Sequence, residues 1–221
     1  MKKILFAVAM LALSVAMAAQ EKGDMYISGT FNISGGSSTS AVTVADQTTT
    51  TDRPGTFSFG IAPSFGYFVM DNLEVNLSLD YSLNRSYLQT DNNQNRLFSR
   101  TNMFVIRPGA SYYLRLADKF YYKPGLSFGI GFGNESEDVD VNTVDKTGRT
   151  TVDLTLELLA FEFQPCEHLG ITLSAGDLSY NFVKRKHSET AANVTTTTVR
   201  KQNTVGLGLN LGAAIGFKYY F

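Results

Sequence analysis

A chain of 221 residues with a formal net charge of −1 carries no basic field of the kind that binds nucleic acid. Only 18% of its residues are charged, below the roughly 25% of ordinary soluble domains. Its 19 Gly, 11 Tyr and 16 Phe argue against a helix-rich protein, and a single Cys excludes both an intramolecular disulfide and a paired-cysteine metal centre.

The chain opens on Met1-Lys2-Lys3, runs through the apolar stretch "ILFAVAMLALSV", and reaches the small residues Ala16 and Ala18. That order of basic, apolar and small segments is the layout of a secretory signal peptide. The apolar run is shorter than the roughly 20 residues a spanning helix needs. Residues 1–18 are therefore expected to be a cleaved signal, and 19–221 a single β-barrel domain. No Cys stands directly after the apolar run, which disfavours a lipid anchor.

From there the chain alternates with period two. "MYISGTFNISG" sets Met25, Ile27, Phe31 and Ile33 on one face. "GTFSFGIAPSFGYFV" alternates Phe57, Phe59, Ile61, Phe65 and Tyr67 with Ser58, Gly60, Ala62, Ser64 and Gly66. "LEVNLSLDYSLN", "TNMFVIRPGASYYLR" and "FYYKPGLSFGIGFG" continue the pattern. "TVDLTLELLAFEF" slips phase near Leu159, where a bulge is expected, and "LGITLSAGDLSYNFV" slips around Gly176 and Asp177. The last segment is "GLGLNLGAAIGFKYYF". Helices cannot sustain a two-residue period, so these segments predict eight strands.

The links between them alternate short and long. "MDN", "ADK" and "QPCEH" are tight, whereas "GSSTSAVTVADQTTTTDRP", "SYLQTDNNQNRLFS", "NESEDVDVNTVDKTGRT" and "KRKHSETAANVTTTTVRK" are polar and are expected to be long loops. Short turns at one end and long loops at the other belong to an up-and-down outer-membrane barrel. An even strand count would put both termini at the periplasmic end and the long loops outside the cell.

Alternation alone fits a lipocalin-like binder as well, with its apolar face inward. The polar face decides. A soluble exterior carries roughly 25–35% charged residues, but here that face is mostly Gly, Ser, Asn, Thr and Ala. Eight strands leave room inside for one layer of modest side chains, so the bulky residues face lipid. The fold expected is an all-β, eight-stranded, antiparallel transmembrane barrel with its lumen filled by side chains. Inward tyrosines such as Tyr220 would plug its floor.

The signal segment, the eight alternating strands and the terminal "GFKYYF" resemble the small outer-membrane barrels of the OmpA transmembrane domain and OmpX type. The resemblance implies that Phe217, Tyr219 and Phe221 form a C-terminal signal read by the barrel-assembly machinery. It is a likeness of pattern over the whole mature chain. No peptidoglycan-binding domain is expected after the barrel, a departure from full-length OmpA.

The inward charges supply the main candidate constellation. Asp80, Arg107 and Glu157 are expected near mid-depth as one ion-paired network, and Glu74, Arg115, Lys123 and Lys218 as a second group near the floor. A lone charge in so narrow a lumen is costly unless paired. This interior reads as a satisfied plug in preference to an ion gate. Lys184, Arg185, Lys186, Arg200 and Lys201 lie at strand ends, where lipopolysaccharide phosphates would sit. His168 falls in a short turn and His187 in a long link beside Ser188, which is no catalytic geometry.

The expected protein is thus not an enzyme and uses no cofactor or metal. Its expected role is structural or interactional: membrane integrity, adhesion, or ligand contact through four extracellular loops. Expected partners are outer-membrane lipid and lipopolysaccharide, the assembly machinery and a host or surface ligand. No nucleic acid is expected, and the barrel is expected to be a monomer. The alternatives are a small pore, a lipid A-modifying enzyme and a secreted lipocalin-like binder.

Overall fold

The computed structural model describes residues 21–90, 95–140, 143–191 and 194–221. The segment read as a signal peptide lies outside these residues. Ten strands follow in order: β1 (Met25–Val44), β2 (Gln47–Met70), β3 (Leu73–Thr90), β4 (Arg96–Tyr112), β5 (Leu114–Ala117), β6 (Phe120–Tyr122), β7 (Gly125–Asp138), β8 (Val144–Cys166), β9 (Leu169–Ala191) and β10 (Val194–Tyr220).

Eight of them form a closed antiparallel ring, β1–β2–β3–β4–β7–β8–β9–β10 and back to β1. The fourth and fifth expected strands are each interrupted, by Tyr113 and by Lys123-Pro124. Pro124 has no N–H to give, and its carbonyl accepts from the Tyr112 amide at 3.0 Å. Past that break β5 and β6 form a small hairpin that extends beyond the ring, with β6 still paired to β8.

The faces follow the two-residue period. Phe31, Phe65, Leu77, Ile106, Phe128, Leu156 and Leu207 are exposed on the outside, while Gly, Ser, Thr and Asn line the inside. The slip at Leu159 is a register shift in the β8–β9 pairing, and Leu158 and Leu159 both face outward there. After it the inward positions of β8 are even-numbered: Ala160, Glu162 and Gln164 are all buried. The opposite strand shifts at Gly176, so the two irregularities face each other.

The polar links differ from the expectation of long loops. β1 and β2 pair to their ends, Val44 with Gln47, around Ala45 and Asp46, whose φ of 47° and 62° make a two-residue turn of the primed type. β9 and β10 pair as far as Ala191 with Val194. Runs of Thr and Val such as "VTTTTV" favour extended backbone, so polar composition did not mean irregular structure. His187, expected in a link, therefore sits within β9 opposite Thr147.

These strands are longer than a membrane requires. A spanning strand needs roughly 9–11 residues, whereas β8 and β9 have 23 each and β10 has 27. The surplus forms a wall of paired hairpins above the apolar band. At the other end the connections are tight, with Asn72 and Lys119 taking positive φ of 64° and 59°.

Candidate functional site

The lumen floor lies at the tight-turn end. Glu74 enters from the start of β3, Lys123 from the β6–β7 junction, Glu162 from β8 beyond its slip, and Lys218 from the end of β10. Each is buried among Tyr26, Phe68, Tyr113, Tyr121 and Tyr220.

Lys218 is the centre of this cluster. Its Nζ is 2.8 Å from Glu74 Oε2, 3.2 Å from Glu162 Oε2 and 2.7 Å from the Tyr113 hydroxyl oxygen. It also rests 3.8 Å from the centroid of the Tyr26 ring. Lys123 Nζ reaches Glu74 Oε1 at 2.9 Å. The Tyr113 hydroxyl has one proton to give and two carboxylates in reach, Glu74 at 2.7 Å and Glu162 at 2.9 Å. Tyr26 donates to Glu74, and Tyr220 and Gln164 donate to Glu162.

Two carboxylates and two ammonium groups thus neutralise one another, with hydroxyls and an amide occupying further acceptor sites on the carboxylates. Satisfaction of this completeness is what lets charge persist in a dry place.

Tyr26 is seated on Gly66, where a Cβ would run into its ring. Gly66 is there because this close approach leaves no space for a side chain. Gly66→Ala should displace Tyr26 from Glu74 and Lys218 and cost about 1–3 kcal/mol. The measurement is the urea midpoint in lipid vesicles, and an unchanged midpoint would show that the ring moves aside freely.

Arg115, expected in this floor group, does not join it. Its phase is inward, but it lies on β5 past the ring, where it is exposed and pairs with Asp118 at 2.7 Å. Glu162 stands in the position the sequence reading left empty.

The mid-lumen network also differs in one member. Arg107 on β4 donates through Nη1 to Asp80 Oδ2 and through Nε to Asp153 Oδ1, at 2.5 and 3.2 Å. Glu157 is not in this group. Ile106 pairs with Ile130, and Gly129 with Asp153, so only Gly129 stands between Arg107 and Asp153. Glu157 pairs with Gly125, four residues lower, or about 13 Å along the strand. It lines the lumen facing Asp177 and has no ion-pair partner among the described residues.

Above the floor the lumen holds a cavity of about 470 Å³, whose lining includes Ser, Thr and Asn side chains together with Asp80, Arg107, Glu157 and Lys218. Higher up, Glu135 accepts from Arg149 at 2.8 Å and from Arg185 at 3.0 Å. Glu135 thus ties the β7–β8 hairpin to β9 through the inside of the wall. On its outside, the Arg100 fork grips Asp138 and, above the apolar band, holds that carboxyl below the usual carboxylate range. Phe217, Tyr219 and Phe221 face outward from the closing strand.

The sequence matches the family model described as outer membrane protein beta-barrel domain over residues 4–212. The chain belongs to that family. Among solved structures it is similar to OprG from Pseudomonas aeruginosa, at 17% identity over 92% of this chain and 98% of that one, with a TM-score of 0.49. It is also similar to Ail of Yersinia pestis in complex with the heparin analogue sucrose octasulfate, at 14% identity over 90% and 99%, with a TM-score of 0.45. Neisserial surface protein A is a third, at 13% identity over 90% and 100%, with a TM-score of 0.37. No curated protein matches the sequence.

Family membership locates this β-barrel in a bacterial outer membrane. Within it, the residues most apt for chemistry are occupied structurally. His168 lies in the β8–β9 turn, 3.0 Å from the Tyr220 carbonyl, with its ring stacked on Tyr219. His187 pairs with Asp145 at 3.0 Å, while Ser188 bonds Thr197 across the hairpin. Neighbours along a strand point to opposite faces, so Ser188 and His187 form no dyad.

Sequence reasoning missed Glu162 and Asp153. Glu162 becomes inward only once the bulge at Leu159 is carried through the rest of β8. Asp153 was already in the inward phase, and counting its depth against Arg107 would have found it.

Proposed function

We propose that this barrel is a plugged outer-membrane protein whose work is done by its hairpin wall, which stabilises the membrane and meets ligands at the cell surface. The observation that supports this is the closed floor. Lys218, Glu74, Glu162 and the tyrosines are buried together at one end of the lumen, and a cavity of about 470 Å³ lies above them. An eight-stranded barrel has no spare width for a bypass. Residues 1–18 serve as the export signal, Phe217, Tyr219 and Phe221 mark the closing strand for assembly, and the barrel acts as a monomer. The termini lie in the periplasm and the hairpins outside.

Two measurements test this reading. An epitope inserted between Ala45 and Asp46 should be reached by antibody on intact cells, and labelling only after permeabilisation would reverse the orientation. Purified protein in a planar bilayer should give no steady conductance. A stable current that rises in Glu74→Gln and Glu162→Gln variants would make the floor a gate and the protein a small pore.

A further inference from the structure

The five basic residues, expected at strand ends, lie several residues inside β9 and β10, because both strands continue to the Ala191–Val194 pair, and they separate onto two faces. Arg185 and Arg200 are cross-strand partners in the inward phase, with Arg185 bound to Glu135. Lys184, Lys186 and Lys201 follow the opposite phase, that of Tyr180 and Phe182, and all three are exposed. None of the three has a carboxylate partner among the described residues.

Their setting is defined rung by rung. One outward row runs Ile130–Val152–Phe182–Asn203 across β7, β8, β9 and β10. The next row up runs Phe132–Thr150–Lys184–Lys201, and the one above it Asn134–Gly148–Lys186–Val199. The lysines therefore begin on the row directly above the apolar one. These rows carry no acidic residue. Lys184 and Lys201 stand directly opposite each other, an arrangement of like charges that is unfavourable unless an anion lies between them.

Gly148 supplies the space. A Cβ there would meet nothing closer than the Lys186 carbonyl oxygen at 3.6 Å. The result is a notch of about 290 Å³ whose walls include Phe132, Thr150, Lys184 and Lys186. Phe132 and Lys184 lie on the row below Gly148, on either side of Thr150, and Lys186 lies beside Gly148 on its own row.

We propose that this face of β8–β10 is a binding site for a phosphorylated glycolipid of the outer leaflet. Lys184, Lys186 and Lys201 bind its phosphates, and Phe132 packs against its acyl chains through the opening at Gly148. The site needs both chemistries at once. An anion alone would not require an apolar edge, and an uncharged lipid would not require three unneutralised lysines. The proposal rests on the membrane placement given above and extends it to one lipid class.

The test uses the full mature barrel in detergent, with native mass spectrometry measuring binding of bis-phosphorylated lipid A. Lys184→Gln, Lys186→Gln and Lys201→Gln together should weaken binding, at roughly fivefold per lysine, by about a hundredfold. Lys22→Gln, at the opposite end, should change nothing. Lipid A stripped of its phosphates should bind wild type no better than the triple variant, and millimolar inorganic phosphate should not compete.

Equal binding by wild type and the triple variant would overturn the site, as would equal binding with and without phosphates. Competition by free phosphate would reassign it to a small anion. Heat-modifiable migration of the triple variant checks that the barrel is folded. Failure here with the epitope still exposed on cells removes the lipid site alone, whereas an epitope hidden on cells removes the orientation beneath it.

Discussion

Lys218→Met should be the most damaging single substitution in the barrel. It removes the cation held between Glu74 and Glu162 and leaves the latter with hydrogen bonds but no ion-pair contact among the described residues. Breaking a buried ion pair from one side typically costs about 3–5 kcal/mol, because the orphaned charge stays in a poorly solvated place. Glu74 retains Lys123, so the damage centres on Glu162. Combining Lys218→Met with Glu162→Gln should therefore recover much of the loss, since the remaining Glu74–Lys123 pair is neutral. Urea unfolding in lipid vesicles, followed by the gel shift between folded and heated forms, measures both variants. A single variant within 0.5 kcal/mol of wild type, or a double variant worse than the single, would sink this account of the floor.

Arg107→Met should come second, at about 2–3 kcal/mol, because Arg107 is one-third exposed to the lumen and water there screens part of the penalty. Its loss leaves Asp80 and Asp153 facing a space that already holds Glu157 and Asp177. Asp80→Asn should cost clearly less, since Arg107 keeps Asp153. The order of the two variants is the test. If Asp80→Asn proved the more harmful, Arg107 would not be the hub of the network. Glu157→Gln should be neutral or mildly stabilising, because it relieves a like-charged pair without removing a bond.

The ring of strands was legible because period two is a strong signal when one face meets lipid and the other a crowded lumen. Every outward Phe, Leu and Ile in segments such as Phe57 to Val69 reports the same geometry. The ends were less legible. "VTTTTV" is polar yet extended, because β-branched side chains favour strand geometry whether or not they are buried.

The site was legible in kind and blurred in detail. Arg107 and Lys218 could be placed inside by parity, but partnership depends on register across several strands. One bulge at Leu159 moved Glu162 into the floor, and the end of the ring at Tyr113 left Arg115 outside it. The division of Lys184 and Lys186 from Arg185 follows from parity alone, once their segment is known to be strand.

The seam of the ring has a consequence for how the barrel is completed. Among the described residues β1 and β10 pair at Tyr26–Tyr220, Ile27–Tyr219 and Ser28–Lys218. Two of those three rungs carry floor residues. The last strand cannot zip to the first without delivering Lys218 and Tyr220 to Glu74 and Glu162, and it cannot withhold them once zipped. Joining the edges and stoppering the bore are one event. On the plugged reading proposed above, a cell would never host a sealed cylinder that leaks, and permeability to small solutes would report unfinished barrels rather than open ones.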